Sequence, residues 1–330
     1  MKCVDLFCGC GGLSLGFQNA GFEVLAAIDN WEAALNVYQN NFNHAAILQD
    51  LTDEKTAIEI LENYQPDLVM GGPPCQDFSS AGKRDETQGR ADLTYHFINI
   101  ICAYKPQLFI MENVERIKKS HILRDIMGQL NHNNYGLTGV ILNASYCQVP
   151  QSRNRFFLIG QLGGQNNTLI NIMARNLAAQ KITMRDYFGD SLGLEYYYRH
   201  PRNYSRRGIY SIDEPSPTVR GVNRPVPKGY KKHRSDPQDS DLGNVRPLTT
   251  IERSYIQTFP KTFKFNGTKT NLEQMIGNAV PVNLSRFVGK CIMEYLNNSS
   301  VCLEQMSLLN IANEPIIPTQ ALKPKFLTFK

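Results

Sequence analysis

The chain has 330 residues, a formal net charge of +5 and 42% hydrophobic residues, enough to bury the core of one large domain or two unequal ones. Its eight cysteines form no CxxC pair, which argues against a zinc site, any other metal centre and a disulfide framework. Glycines follow the N-terminus too early for a signal peptide, and no apolar run approaches the roughly 20 residues of a membrane span. We therefore expect a protein of the reducing cytosol without a membrane segment.

The positive charge is concentrated in one stretch. Between residues 199 and 234 there are ten basic residues and two acidic ones, so this stretch carries +8 and the rest of the chain −3. Tyrosines at positions 196–198, 204, 210 and 230 alternate with the cations. Charge runs are usually solvated faces, but cations mixed with aromatic rings favour a surface that binds a polyanion and stacks on its bases or sugars.

The chain opens with a strand, a glycine turn and a helix. Residues 2–7 are an apolar run that predicts a strand, and residues 13–20 have the apolar spacing of a helix. The turn between them reads CGCGG, and N–H groups at a helix start can approach a ligand closely. Ser14 stands where the last glycine of GxGxxG belongs, so the unit indicates nucleotide binding but departs from the nicotinamide fingerprint.

Acidic residues end the next two predicted strands. Residues 23–28 form a strand that ends at Asp29, and residues 45–48 form another, followed by Asp50. An acid at the end of the second strand binds the ribose hydroxyls in doubly wound folds. The alternative is that Asp29 or Asn30 caps the helix predicted over residues 31–42. The strand ends predict a pocket for an adenosine-like group.

One cysteine lies in a segment with little conformational freedom. Residues 71–83 read GGPPCQDFSSAGK and follow a strand predicted over residues 66–70. The two prolines restrict the backbone that enters Cys75, so the thiol is held at the carboxyl end of a strand. The alternative is a small buried hydrophobe in a turn. The polar, glycine-containing stretch 77–92 is typical of a lid that closes over a substrate.

Glu112 and two arginines are the next candidates. A helix is predicted over residues 93–104 and an apolar strand over 107–111, with Glu112 at the end of the strand. A carboxylate in that position is either a cap or a functional group with a raised pKa. Between strands predicted at 135–142 and 156–159, Arg153 and Arg155 share one face of an extended segment. They can bind a carboxylate or carbonyl, or form a surface salt-bridge pair.

The composition of the chain changes at residue 163. Prolines punctuate residues 163–243, which predict a smaller domain of loops and short strands. Helices are predicted over residues 248–256, with Thr249 or Thr250 as N-cap, and over residues 285–296, which dock back on the first domain.

Five motifs in order resemble the C5-cytosine DNA methyltransferases. They are DLFCGCGG at residues 5–12, PPCQ at 73–76, ENV at 112–114, QSRNR at 151–155 and GNAVPVNL at 277–284. The resemblance covers about residues 1–160 and 246–296. The compact length is similar to that of the bacterial restriction-modification type.

The resemblance implies an α/β fold: a Rossmann-like S-adenosylmethionine-dependent methyltransferase domain over residues 1–162, completed by 246–330, and a loop-rich target-recognition domain over 163–245. It implies a DNA (cytosine-5-)-methyltransferase of the bacterial cytosol that acts as a monomer on double-stranded DNA, with S-adenosyl-L-methionine as cofactor. It also implies a cognate restriction endonuclease as a functional partner.

The resemblance also assigns roles. Cys75 would be the nucleophile, Glu112 and Arg155 would hold the target base, and Arg153 would support the site. The expected cofactor residues, with Pro73 closing the pocket and Asn278 joining the two domains, are Phe7, Gly9, Gly11, Asp29, Asp50, Pro73, Leu93 and Asn278. The expected DNA contacts are Gln76, Lys83, Arg84, Arg220 and Arg224.

Two departures and three alternatives accompany this assignment. Asn30 stands where the family often has an aromatic residue, and RADL at residues 90–93 replaces RGxL. A same-fold enzyme that methylates tRNA, a non-catalytic DNA-binding homologue and a nicotinamide-dependent oxidoreductase are the alternatives. The basic segment argues against the tRNA enzyme, and the intact Cys75 argues against a non-catalytic homologue. Ser14 argues against the oxidoreductase.

Overall fold

The computed structural model describes residues 1–74, 92–201, 206–306 and 326–327. Its strands are β1 (Lys2–Leu6), β2 (Glu23–Asp29), β3 (Ala45–Leu48), β4 (Leu68–Gly71), β5 (Leu108–Val114), β6 (Tyr135–Asn143), β7 (Gln151–Ser152), β8 (Asn154–Leu162), β9 (Tyr196–Tyr198), β10 (Ile209–Ser211), β11 (Ser216–Pro217), β12 (Arg246–Pro247) and β13 (Phe326–Leu327).

The helices within the same residues are α1 (Gly12–Ala20), α2 (Glu32–Gln39), α3 (Glu54–Tyr64), α4 (Asp92–Tyr104), α5 (His121–His132), α6 (Ile170–Asn176), α7 (Met184–Phe188), α8 (Thr250–Ile256), α9 (Lys269–Asn278) and α10 (Val282–Met306). Short 3-10 helices cover Glu115–Lys119 and Ala144–Tyr146. None of the described helices is long and apolar enough to cross a membrane.

A large mixed sheet forms the centre of the molecule. In the described part of the chain it contains eight strands in the order β13-β6-β8-β5-β4-β1-β2-β3. β1 to β5 are mutually parallel, and β8 runs antiparallel between β5 and β6. The chain builds outward from β1 to β3 and then crosses to β4 on the other side of β1. This reversal creates a crevice at the carboxyl ends of the strands, where open α/β sheets bind ligands.

Helices cover both faces of the sheet, as the apolar strands require. On one face α1 and α10 pack through residues such as Phe17 and Val288. On the other, α3, α4 and α5 contribute Leu61, Phe97 and Ile126. The predicted α/β, Rossmann-like class is confirmed by this arrangement.

A smaller three-stranded sheet, β10-β9-β12, lies in the second part of the chain. Tyr197 and Tyr198 on β9 are each only 1% exposed, and Tyr230 packs edge-on against Tyr198. The expectation that these neighbouring tyrosines stack on a polyanion is therefore wrong for Tyr197 and Tyr198. Both tyrosines belong instead to the buried clusters around this small sheet.

The region predicted as the second domain is not uniform in its packing. Leu169, Ile172 and Met173, on and before α6, belong to the same core cluster as α1 and α10. Met184 on α7 and Tyr197 on β9 instead belong to a separate cluster. The two parts of this region therefore face different cores.

Candidate active site

The turn after β1 is fixed by a carboxylate from the end of β2. The Gly9 N–H donates to Asp29 Oδ2 at 2.8 Å, and the Trp31 N–H donates to Asp29 Oδ1 at 2.9 Å. Burial raises the pKa of Asp29, while these backbone hydrogen bonds oppose the rise. The N-cap residue of α2 is Trp31, without a side-chain cap, so the alternative in which Asp29 or Asn30 caps this helix is wrong.

The predicted glycines of this turn do different things. Phe7 and Gly9 both have positive φ, 58° and 53°, and a Cβ on Gly9 would meet no atom within 4 Å. A Cβ on Gly11, where φ is 92°, would lie 2.9 Å from the ring of Tyr38. Gly11 is therefore needed for packing against α2, whereas Gly9 borders open space that a ligand can enter.

Ser14 forms hydrogen bonds with residues on either side of this turn. Its hydroxyl donates to Asp5 Oδ2 at 2.5 Å and accepts from the Tyr38 hydroxyl at 2.7 Å. Burial raises the pKa of Asp5 to about 7. Tyr38 Oη also lies 2.6 Å from His44 Nε2. A serine at this position thus ties α1 to β1 and α2, which a glycine could not do.

The far side of the crevice carries apolar and acidic groups together. Asp50 is exposed and accepts from the Thr52 N–H and hydroxyl, both at 2.9 Å, which lowers its pKa and keeps it charged. Leu48, at the end of β3, is 58% exposed. Leu93 is half-buried in the first turn of α4. Apolar side chains beside two carboxylates and an open glycine suit a ligand with a flat ring, hydroxyls and an ammonium group.

The end of β4 lies against Glu112. Pro73 is buried, and its carbonyl accepts from Asn113 Nδ2 at 3.4 Å. A Cβ on Gly72 would lie 3.2 Å from Glu112 Oε2. The chain therefore passes Glu112 just before it reaches position 75. The other predicted residues of this region, Cys75, Gln76, Lys83 and Arg84, lie outside the described residues, as do residues 77–91 of the expected lid.

Glu112 and Arg155 form a nearly buried ion pair. Arg155 Nε lies 2.7 Å from Glu112 Oε1, and the side chains of Arg155 and Glu112 are 14% and 10% exposed, respectively. Burial raises the pKa of Glu112, and the charges of Arg155 and Arg153 oppose that rise. Glu112 lies inside β5 and not after it, because β5 continues to pair with β8 as far as Val114 opposite Arg155.

Arg153 has a different environment from Arg155. It is only 1% exposed, so the alternative of a surface salt-bridge pair is wrong. Its Nη1 donates to the Val219 carbonyl at 3.0 Å, and its Nη2 donates to the carbonyls of Gly277 and Ala279 at 3.0 and 3.1 Å. Arg153 therefore connects the strand pair that carries Arg155 with two distant segments.

Two glutamines that the sequence analysis did not single out complete this connection. Gln151 Nε2 donates to Gln257 Oε1 at 2.7 Å, and Gln257 Nε2 donates to the Ile276 carbonyl at 2.6 Å. Both glutamines are fully buried. Asn278, predicted to join the domains, is exposed at the end of α9. The sequence did offer a signal for Gln257. Arg253 and Gln257 are four residues apart, which puts two polar side chains on one face of a helix.

Several cations of the basic segment are used within the fold. Arg207 forms an ion pair with Glu214, Arg199 Nη2 donates to the Thr218 carbonyl at 2.7 Å, and Arg220 donates to the His200 carbonyl. The exposed cations of the described part of this segment are Arg206, Arg224, Lys228, Lys231 and Arg234. Within the residues that the structure describes, no group of three His, Cys, Asp or Glu could hold a metal ion.

Comparisons with known proteins identify one family and one fold. Residues 1–294 match the family described as C-5 cytosine-specific DNA methylase. The Type II methyltransferase M.HindV of Haemophilus influenzae is 65% identical over 295 residues, 89% of this chain and 97% of that protein. M.HgiDI of Herpetosiphon aurantiacus is 54% identical over 309 residues, 94% of this chain and 99% of that protein. The S. pombe Dnmt2 methyltransferase has a similar fold, with a TM-score of 0.68 at 18% identity over 91% of this chain and 99% of that one.

Proposed function

The chain belongs to the C-5 cytosine-specific DNA methylase family, and from that premise we propose that it transfers a methyl group from S-adenosyl-L-methionine to carbon 5 of a cytosine in a specific duplex sequence. The observation that carries the proposal is the buried Glu112–Arg155 pair, which lies beside the strand end that leads to Cys75.

The chemistry requires a nucleophile because carbon 5 of cytosine reacts poorly with a methyl donor. Addition of the Cys75 thiolate to carbon 6 makes an S–C bond and leaves an enamine that is nucleophilic at carbon 5. After methylation, loss of the carbon 5 proton to a base restores the ring and expels the thiolate. Since carbon 6 is stacked within a duplex, the base must first be flipped out.

Glu112 and Arg155 are suited to stabilise the addition step. Negative charge develops on the ring, and a carboxyl with a raised pKa can share a proton with N3. A guanidinium held at a fixed angle can donate to O2 at the same time. The ion pair sets that angle before the substrate arrives. Arg153 supports it through the backbone and does not need to touch the base.

When bound, S-adenosyl-L-methionine supplies an electrophilic methyl group. We assign its binding to the crevice at the ends of β1 to β4. Asp29 and Asp50 provide acceptors, and Phe7, Gly9 and Leu93 provide the walls. Gly11 shapes the turn, Pro73 borders the site, and Asn278 lies at the end of α9, near the connection between the domains.

We further propose a role in restriction and modification, since the relatives named above are Type II methyltransferases. The chain would act as a monomer in the bacterial cytosol and protect host DNA from a cognate endonuclease. Gln76, Lys83, Arg84, Arg220 and Arg224 would contact the DNA. The division into residues 1–162 with 246–330 and residues 163–245 would separate chemistry from target recognition.

The Cys75→Ser variant tests the nucleophile. It should lose methyl transfer to duplex DNA while it still binds the duplex, because an alcohol is a far weaker nucleophile and leaving group than a thiol. Cys102→Ser, at a half-buried cysteine on α4, is the matched control and should keep activity. DNA with 5-fluorocytosine at the target should trap a covalent adduct with the wild type that survives denaturing gels. A fully active Cys75→Ser protein would refute the assignment.

The substrate class needs its own comparison. Methyl incorporation into duplex DNA and into tRNA, measured with labelled donor, should favour DNA strongly. Bisulfite sequencing of DNA from cells that express the protein should show methylation at one sequence. Preferential labelling of tRNA would support the RNA-directed alternative, and no transfer to either substrate would support a non-catalytic DNA-binding homologue.

Glu112→Gln tests the role of the carboxyl group. We expect kcat to fall by about 10²–10³, since a carboxamide cannot share a proton with the ring, and the KM for the donor to change little. Glu62→Gln, on the exposed face of α3, is the control and should have wild-type kinetics. An unchanged kcat for Glu112→Gln would show that this carboxyl group does not act on the base.

A further inference from the structure

Residues 218–224, which we call the 218–224 segment, begin beside the candidate active site. The preceding strand β11 pairs in parallel with β7. Thr218 Oγ1 donates to the Ser152 carbonyl at 3.1 Å, and β7 leads directly into the strand that carries Arg155. The start of this segment therefore lies beside the strand pair that carries Arg155.

Side chains of the surrounding elements fix the backbone of this segment. The Val219 N–H donates to Gln151 Oε1 at 2.8 Å, and its carbonyl accepts from Arg153 Nη1 at 3.0 Å. The carbonyl of Arg220 accepts from Arg253. Farther along, Asn223 Nδ2 donates to the Leu248 carbonyl at 2.7 Å. The segment is thus held at three successive points by residues that are themselves buried or anchored.

The segment also packs closely on α9. A Cβ on Gly221 would lie 3.2 Å from Gln274 Cα, and a Cβ on Gly277 would lie 2.8 Å from the Arg220 carbonyl oxygen. Such close backbone contact leaves the segment little room to shift. Contacts of this kind preorganise a binding surface, because ordering entropy does not have to be lost on association.

Two side chains project from this rigid backbone without a structural task in the described part of the chain. Val222 is 52% exposed, and Arg224 is exposed and makes no ion pair with another described residue. The contrast is Arg185, which precedes this segment in the chain and is neutralised by Asp190, Glu195 and Asp213. An uncompensated guanidinium next to an exposed branched apolar side chain suits a surface that has both anionic and apolar features.

We propose that Val222 and Arg224 are specificity-determining residues that read base edges in the major groove beside the target cytosine. Arg224 donates in bidentate fashion to O6 and N7 of a guanine, and Val222 contacts the methyl group of a thymine. Arg220 keeps its proposed role as a DNA contact but does not read a base, because its carbonyl and guanidinium are both engaged within the protein. This inference rests on the proposed function, since it presupposes that the chain methylates duplex DNA.

The test is a methylation assay on duplexes with random bases around a central cytosine, followed by bisulfite conversion and sequencing. Wild type should yield one consensus. Arg224→Ala should relax the preference for guanine at one position by about tenfold or more, and Arg224→Lys should relax it less, because an ammonium group lacks the planar fork of the guanidinium but can still donate to guanine. Val222→Ala should relax the preference at a different position that contains A·T. Lys231→Ala, an exposed cation of the same domain, is the matched control and should keep the consensus with a weaker salt dependence.

The outcomes separate the two proposals. If wild type methylates one sequence and the consensus of every Arg224 and Val222 variant equals it, the inference is wrong and the proposed function stands. If Arg224→Lys keeps full preference while Arg224→Ala only slows methylation at all sequences, Arg224 contacts phosphate and the assignment to a base fails. Wild-type protein that methylates no cytosine overturns both proposals.

Discussion

Replacing Arg153 by methionine should destabilise the protein and weaken DNA binding together. The guanidinium donates to three carbonyls, but that of Ala279 also accepts from Gln257 Nε2 at 3.0 Å. The change therefore leaves the carbonyls of Val219 and Gly277 without this donor. Each unpaired buried acceptor lowers the stability of the folded state by about 1–3 kcal/mol. Removal of a buried charge offsets part of this loss, because the charge no longer has to be taken out of water. We expect the free energy of unfolding to fall by about 2–4 kcal/mol.

Urea titrations followed by circular dichroism measure the first effect, and fluorescence anisotropy with a labelled duplex measures the second. Because Val219 belongs to the 218–224 segment, the Kd for cognate DNA should rise by about tenfold or more, whereas the Kd for the methyl donor should change little. Arg286→Met, at an exposed position on α10, should change stability by less than about 0.5 kcal/mol. An Arg153→Met protein with wild-type stability and DNA affinity would refute the argument.

Two further predictions concern buried carboxyl groups. Asp236 accepts from the N–H groups of Gly208 and Ile209, both at 2.9 Å, and from Tyr230 Oη at 2.7 Å. Asp236→Ala should lower the free energy of unfolding, measured by urea titration, by about 2–5 kcal/mol, and Asp236→Asn should lower it less. An alanine variant as stable as the wild type would contradict this prediction. The pKa of Asp5 is raised from 3.8 to about 7, so the folded state holds an extra proton between these values and the unfolding free energy should fall as pH rises from 4 to 7, by up to about 4 kcal/mol. The Asp5→Asn variant should lack this component, and identical pH profiles would show that Asp5 does not titrate as stated.

The sequence predicts the large sheet well because its strands are short apolar runs separated by glycine, proline and acidic residues. The strand predicted at residues 45–48 coincides with β3, and the helix predicted at 93–104 begins one residue later than α4. Thr249 is the N-cap of α8, in a capping box with Glu252, which settles the choice between Thr249 and Thr250. Sequence patterns therefore predict the ends of helices and strands where neighbouring residues in the chain determine them.

Four helices of the described residues were missed, namely α3, α6, α7 and α9, and the sequence carries a signal for α3 and α9. The helix α3 begins after Asp53, whose side chain accepts from the Thr56 N–H, and buries Ala57 and Leu61 at helical spacing. The helix α9 begins after Thr268, which accepts from the Asn271 N–H. Both show an N-cap followed by apolar residues three to four positions apart. Polar surroundings hide such short amphipathic helices when only apolar runs are sought.

The site is harder to predict because its important contacts are distant in sequence. The apolar pattern of β5 stops at Met111, yet the strand extends to Val114 because β8 continues to pair with it. Glu112 is tolerated there since Arg155, far along the chain, neutralises it. Likewise, the tyrosine-rich stretch resembles a stacking surface in composition, and only the small sheet shows that Tyr197 belongs to a core.

The connection between α9 and α10 contacts several parts of the candidate site. Gly12, the first residue of α1 after the turn that follows β1, has no Cβ, and one placed there would lie 3.4 Å from Ala279 Cβ. The carbonyl of Ala279 accepts from Arg153 and from Gln257, so one short connection contacts the turn proposed to bind the methyl donor, the strand of Arg155 and the support of the 218–224 segment. A change there should alter donor binding, catalysis and DNA binding together. Changes at Val222 and Arg224 reach none of these supports, so they should alter sequence preference alone.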